Sequence, residues 1–211
     1  METNKKLYII GAGGHGKVVA DIAKKNGYTD IQFLDDGVKG NIGNYSIVGT
    51  SQDIQKLHSI NKEADFFIAI GSNIIREKIF NQLKKYGVTP PVLKHPTSVI
   101  DETVQIGEGT VVMANVVMNA STVIGKGSII NTASTIDHDC CIDDFVHISP
   151  GVHVAGTVHI GKKSWLGIGS TVINNVHICD DVIVGAGSVV VKNIECSNTY
   201  MGIPAKRKDG I

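Results

Sequence analysis

The sequence predicts a small α/β domain followed by a parallel β-helix, and three observations carry that prediction. From residue 100 to residue 190 an aliphatic residue or Met recurs at every sixth position without a slip. Strand-like and helix-like segments alternate before His95-Pro96, and a glycine-rich loop joins the first strand to the first helix. A helix repeats every 3.6 residues and a strand every two, so a period of six belongs to neither; it is the period of a hexapeptide coil.

Residues 7–10 read as an apolar strand. Gly11-Ala12-Gly13-Gly14-His15-Gly16 follows, then a helical pattern over 17–26 ending at Gly27. Residues 31–34 read as a second strand closed by Asp35-Asp36-Gly37, and 41–49 as a turn-rich connection. Ser51 and Asp53 are N-cap signals for a helix reaching residue 60. A third strand, 66–70, ends in Gly71-Ser72-Asn73; a helix over 74–86 stops at Gly87 and Pro90-Pro91, and Val92-Leu93 suit a last strand. This alternation predicts a small parallel α/β domain at 1–95. The β-helix takes 96–211. In each hexad the aliphatic and the residue four later, such as Thr110, Thr122, Ser128 or Ser134, point inward. Three hexads close one coil, with Gly, Asn and Asp near the corners, where they accept unusual backbone angles. One coil cannot bury its inner face, so about five stack, roughly 4.8 Å apart. After Val190 the repeat fades, and Gly202-Ile203-Pro204-Ala205-Lys206 reads as a tail docked on the last coil.

Lys plus Arg and Asp plus Glu balance at 20 each, which argues against a nucleic-acid or polyanion surface. No apolar run is long enough to span a membrane, and METNKKLYIIGAGG lacks a signal-peptide core, so the expected location is the cytoplasm. Cys140 and Cys141 are adjacent, Cys179 and Cys196 single, and no C-x-x-C pair suggests zinc or redox chemistry. Cys140 and Cys179 fall at hexad positions and read as β-helix residues.

Gly11, Gly13 and Gly16 spell G-x-G-x-x-G between a strand and a helix, and Asp35 follows where an acidic residue would reach a ribose. The loop supports three uses: an NAD site in a Rossmann-like fold, a structural turn, or a phosphate site for a mononucleotide or nucleotide sugar. A domain of this size is half a dinucleotide fold, which favours the last, with His15 as an extra donor and Asp35 and Asp36 near the ribose or base. Five histidines lie on the β-helix: His138, His147, His153, His159 and His177. Stacking by coils sets His138 between Ala120 and Gly156, both small, with Asp137 and Asp139 beside it. An adjacent carboxylate fixes an imidazole tautomer and stabilises its charged form, as a general base requires. His159 and His177 stack one coil apart and read as a polar ladder ahead of a surface metal pair; His153 reads as surface.

GAGGHGKVVADIA, the Asp-Asp after the second strand, the AIGSN turn, INTASTIDHDC and the closing GIPAKR together resemble one acyltransferase family of the hexapeptide-repeat superfamily. It contains the UDP-4-amino-sugar N-acetyltransferases of bacillosamine biosynthesis and the sialic acid O-acetyltransferases, and the resemblance runs from residue 7 to 206. It implies a left-handed β-helix and a homotrimer with active sites between subunits. It also implies acetyl-CoA as co-substrate, no metal, and N-acetylation of a UDP-4-amino-dideoxy sugar for surface glycan or glycoprotein biosynthesis. O-acetylation of a sialic acid is the alternative.

For single residues the resemblance implies His138 as general base and Asp139 as its orienting carboxylate. The family often has Glu at that place, so Asp137 and Asp139 both stay open for the role. Asn131 would contact substrate and His147 would lie near the acetyl group. Gly156, Ile168, Gly185 and Ala186 would receive acetyl-CoA. Gly11, Gly13, Gly14, His15, Asp35, Asp36, Gly71 and Ser72 would form the nucleotide site. No activated Cys or Ser is evident, so acyl transfer is expected to be direct. A non-enzymatic scaffold or sugar sensor leaves Asp137-His138-Asp139 without a use. A metal enzyme of the β-helix carbonic anhydrase type would need several converging histidines.

Overall fold

The computed structural model describes residues 5–208. The chain forms two compact units, one ending at Leu93 and the other beginning at Lys94.

The first unit runs β1 (Lys6–Ile10), α1 (Gly14–Lys25), β2 (Asp30–Leu34), β3 (Asn41–Ile42), β4 (Tyr45–Gly49), α2 (Ile54–Ile60), β5 (Asp65–Ile68) and α3 (Asn73–Lys85). Its sheet has the order β3-β4-β2-β1-β5. β1 lies parallel to β2 and β5, and β2 to β4; the β3/β4 hairpin is antiparallel. Leu7, Ile9, Phe33, Leu34, Phe66 and Phe67 are completely buried, as strands covered on both faces must be. Helix α1 starts at Gly14, earlier than the apolar pattern alone indicates, so His15 and Gly16 lie in its first turn. Glycine's poor helix propensity is overridden by packing: a Cβ at Gly16 would sit 2.2 Å from the Gly11 carbonyl oxygen. The stretch 41–49 holds the hairpin and a fourth parallel strand; β4 is only partly buried, so its apolar signal is weak. Leu93–Lys94 forms a short strand outside this sheet.

The second unit is a left-handed parallel β-helix of two-residue strands. In each, the first side chain points out and the second in. Three outward ladders run along it: Val99, Val117, Thr135, His153, Thr171 and Val189; Gln105, Val123, Cys141, His159 and His177; and Val111, Ile129, His147, Trp165 and Ile183. The inward partners, such as Ile130, Ile136, Ile148, Ile160, Leu166 and Val172, are fully buried. Several buried hydroxyls are satisfied across coils: Thr110, Thr122, Ser128 and Ser164 each donate to a carbonyl fifteen residues on, as buried polar groups require. From Ile106 to Val184 the residue three places after each inner aliphatic takes the left-handed conformation. Asn115, Ser121, Ala133, Asp139, Phe145, Thr157, Lys163, Asn175 and Asp181 do so with φ between 56 and 62°, and Gly does so elsewhere. At the chain's end, Thr199–Met201 pairs in parallel with Ile183–Val184 and antiparallel with Lys206–Arg207, so the tail extends a sheet. Among the described residues no helix is long and apolar enough to cross a membrane.

Candidate active site

His138 stands at the corner between strands Thr135–Ile136 and Cys141–Ile142. The geometry of the repeat makes Asp139 the left-handed residue of that corner, with φ 57°, a conformation that Asp tolerates better than most residues. This turns its carboxylate back, and Oδ2 lies 2.7 Å from His138 Nδ1. Asp137 faces elsewhere: its Oδ1 accepts from Asn119 Nδ2 one coil below at 2.7 Å and from the His138 backbone N–H at 2.9 Å. The two carboxylates therefore have different work, Asp137 tying the corner to the coil below and Asp139 holding the imidazole. The Asp139 hydrogen bond raises the His138 pKa above its ordinary value; partial desolvation opposes this, and the charges of Asp137 and Asp139 add to it. With Nδ1–H donated to Asp139, Nε2 keeps its lone pair.

Nε2 lies over Gly156. A Cβ there would come within 2.7 Å of both Cε1 and Nε2, so the ring occupies the space that a side chain would need. The Gly156 N–H meets no carbonyl among the described residues. Cys140, next to this corner, is no nucleophile: it is buried, its thiol points at Ala155 O, and burial pushes its pKa up.

Asn131 and His147 meet on another edge of the coil, with Nδ2 3.3 Å from Nε2. The His147 ring stacks on Trp165 one coil on, centroids 5.6 Å apart and planes within 1°; Trp165 Nε1 donates to Ser149 Oγ at 2.8 Å. The corners carrying Ile168, Gly185 and Ala186 follow the same ladder as His147 and Trp165. Of the residues expected to receive acetyl-CoA, Gly156 shares an edge with His138, and the others share an edge with Asn131 and His147.

In the first unit the glycines divide by role. Gly11 has φ +110°, and a Cβ there would lie 2.7 Å from Ala69 O; Gly13 and Gly14 face open space, with nothing within 4 Å of the built Cβ. Gly13 caps α1 without a side-chain hydrogen bond, and the first turn holds no acidic residue. Its N–H groups thus face outward, the arrangement that binds anions. Asp35, expected near a ribose, is anchored by the backbone of its own loop. Its Oδ2 accepts from Ala12 N at 2.7 Å, and its Oδ1 from Gly37 N at 2.9 Å and Val38 N at 2.7 Å. Burial works to raise its pKa, but these three bonds outweigh it and hold the carboxyl below its ordinary value. Asp35 is a strut of the loop. Asp36 accepts from Ser51 N at 2.7 Å and Ser51 Oγ at 2.9 Å. Between Gly11, Asp35 and Asp36 and an aliphatic wall of Ile70, Ile75 and Ile79 lies a cleft of about 240 Å³. Ser72 caps α3, accepting from Ile75 N, and Gly71 O accepts from Arg76.

His15 Nε2 is buried and has no hydrogen-bond partner among the described residues. Burial, with the nearby Arg76 charge adding, pushes its pKa down to about 4, so the ring is neutral. Sequence reasoning missed Arg76. It is 1% exposed, donates Nη1 to Ile70 O and Gly71 O at 3.0 Å and Nη2 to Asn73 Oδ1 at 2.7 Å, and burial lowers its pKa to about 9. A signal was available: Arg76, Ile79, Phe80 and Leu83 form the buried stripe of α3, and a cation at the head of an apolar stripe is costly unless something binds it.

Residues 6–83 match the family model described as PglD N-terminal domain, and residues 157–192 that of the bacterial transferase hexapeptide (six repeats). UDP-N-acetylbacillosamine N-acetyltransferase of Bacillus subtilis (strain 168) is 34% identical over 112 residues, which cover 52% of this chain and 52% of that protein. The chain thus spans about half the length of the curated relatives it matches. The acetyltransferase domain of PglB from Neisseria gonorrhoeae FA1090, solved with acetyl coenzyme A, is 41% identical, covering 98% of this chain and 100% of that one, with a TM-score of 0.92. PerB from Caulobacter crescentus, solved with CoA and GDP-perosamine, is 36% identical over 98% of both chains, with a TM-score of 0.92.

Proposed function

The chain belongs to the family of hexapeptide-repeat sugar N-acetyltransferases with a PglD N-terminal domain, and from that premise we propose that it moves the acetyl group of acetyl-CoA onto the amine of a nucleotide-linked sugar. The observation that carries this is the Asp139–His138 pair with Nε2 set above a free Gly156 N–H. The amine attacks the thioester carbon, and the C–N bond forms as the carbonyl oxygen becomes an oxyanion. His138 Nε2 takes the amine proton, a general-base step worth roughly 10² to 10⁴-fold. Asp139 holds the tautomer and stabilises the imidazolium. The Gly156 N–H stabilises the oxyanion. Collapse breaks the C–S bond, and the proton on His138 passes to the leaving thiolate, giving CoA thiol and the amide. Metal chemistry has no part in these steps.

The nucleotide end follows from charge and hydrogen-bond supply. The outward N–H groups of α1 and the neutral His15 form a cradle for a diphosphate, to which the buried Arg76 charge adds attraction without direct contact, with Ile70, Ile75 and Ile79 as an apolar wall for the base. The relatives are named for UDP- and GDP-sugars; to this chain we assign a UDP-4-amino-dideoxy sugar. The alternative, O-acetylation of a free sialic acid, leaves the cradle without a diphosphate. His138 and the pair Asn131 and His147 stand on different edges of the coil, so a site using all three draws on two chains. We therefore assign a cytoplasmic homotrimer with sites between subunits, and Val99, 66% exposed, and Ile168, 62% exposed, leave apolar surface for the second copy.

The test offers the purified chain acetyl-CoA with UDP- or GDP-linked 4-amino-4,6-dideoxy sugars, or with sialic acid, and follows CoA release. Turnover of a nucleotide amino sugar is expected; turnover of sialic acid alone would overturn the proposal.

A further inference from the structure

We propose that Cys141, Asp143 and His159 form a binding site for a divalent cation of the zinc class on an outer face of the β-helix. Cys141 and His159 are direct partners in neighbouring strands, so their outward side chains stand one coil apart on one ladder. Asp143 occupies the corner after Cys141–Ile142. Its Oδ2 lies 3.1 Å from His159 Nε2 and its Oδ1 3.7 Å from Cys141 Sγ, and one ligand atom from each residue lies within 4.8 Å of the others. A tetrahedral zinc with Zn–S near 2.3 Å and Zn–N and Zn–O near 2.1 Å sets its ligand atoms about 3.4 Å (N to O) and about 3.6 Å (S to O) apart. The two Asp143 oxygens stand near those separations from His159 and from Cys141, and all three donors lie close enough to converge on one ion with small side-chain rotations; their mixture of thiolate, imidazole and carboxylate suits zinc over calcium or magnesium.

The surroundings supply the support that a ligating imidazole needs. His177, the next residue of the ladder, places Nδ1 3.0 Å from His159 Nδ1, and the His177 backbone N–H is held by Asn193 Oδ1 at 2.9 Å. A metal-bound histidine ordinarily donates its other ring N–H to such a partner. Without a cation, His159 fills its contacts with Nε2–H toward Asp143 and with Nδ1 accepting from His177. Binding exchanges the cation for one proton, that of the Cys141 thiol; the His159 proton moves from Nε2 to Nδ1, which then donates to His177 Nδ1, the His177 proton having moved to its own Nε2. Three protein ligands leave a fourth position for water. The ion would clip two successive coils together and takes no part in acetyl transfer.

The experiment titrates metal-free full-length protein with Co²⁺, then displaces it with Zn²⁺. About one Co²⁺ per chain is expected, with a thiolate-to-cobalt charge-transfer band, intense visible bands of tetrahedral coordination, and a Tm that climbs with free Zn²⁺. Cys141→Ser removes the charge-transfer band and His159→Ala the tetrahedral bands, while His138→Ala and His153→Ala keep both. The metal-free Tm of Cys141→Ser should equal that of the parent, because the side chain is exposed. Absence of the bands at excess Co²⁺, or their survival in Cys141→Ser, would overturn the site. So would their loss in His138→Ala, which would assign the ion to the proposed base.

Discussion

His15 and His138 are the same side chain pushed in opposite directions by their surroundings. In the α/β unit, burial and the Arg76 charge strip His15 of its proton and leave a neutral ring with an unpartnered nitrogen. On the β-helix, His138 stands in solvent, and the Asp139 hydrogen bond raises its affinity for a proton. The first arrangement suits a fixed hydrogen-bonding partner for a charged ligand, the second a base that must accept a proton and release it. Burial decides one and a carboxylate decides the other, so each site has its own way to fail.

The largest effect should come from the exposed histidine. His138→Ala is expected to lower kcat at least about 100-fold, the general-base contribution, with Tm unchanged because the ring is outside the core. A smaller kcat loss is expected from Gly156→Ala, whose methyl would collide with the imidazole; a crystal structure of the variant should show the ring displaced. On the other side of the comparison, His15→Ala should act on binding, raising KM for the nucleotide sugar about tenfold, or roughly 1.4 kcal/mol, with kcat and the KM for acetyl-CoA unchanged. An equal loss in both KM values would erase the division of labour. The smallest effect belongs to His153→Ala: its ring reaches Thr135 Oγ1 at 2.9 Å and no part of the proposed chemistry, so kcat and KM should stay within about twofold, a shift below RT-scale binding differences.

What the sequence revealed differs between the same two regions. A six-residue period names every inward aliphatic of the β-helix, because one side chain per strand must be buried whatever the outer residues are. It marks the corner position but does not reveal that bulky residues turn left-handed there. Phe145 and Lys163 do so beside Gly and Asn, and stacking supplies the compensation: Phe145 lies over Gly127, where a Cβ would meet the ring at 2.4 Å. Nor does it separate Asp137 from Asp139, both adjacent to His138. The distinction comes from the left-handed corner at Asp139 and from Asn119 one coil below. In the α/β unit the G-x-G-x-x-G spacing located the loop, but not what holds Asp35 within it. Its side chain is bound to Ala12, Gly37 and Val38, three backbone partners that linear spacing does not display. Arg76 is illegible in the sequence because a cation within an apolar helical stripe looks like an interruption of it.

The pH dependence of kcat/KM in the parent chain, Asp139→Asn and His15→Ala tests most directly whether His138, held by Asp139, is the base. A base with a raised pKa is deprotonated only above that value, so activity should fall as pH drops through a point above the ordinary histidine value. His15, titrating near 4, stays neutral throughout and adds no limb of its own. In Asp139→Asn the acid limb should move to lower pH as the supporting charge is lost, with a reduced plateau, while His15→Ala should keep the parent's limb unmoved. A limb that stays in place in Asp139→Asn, or that shifts in His15→Ala, would contradict the assignment.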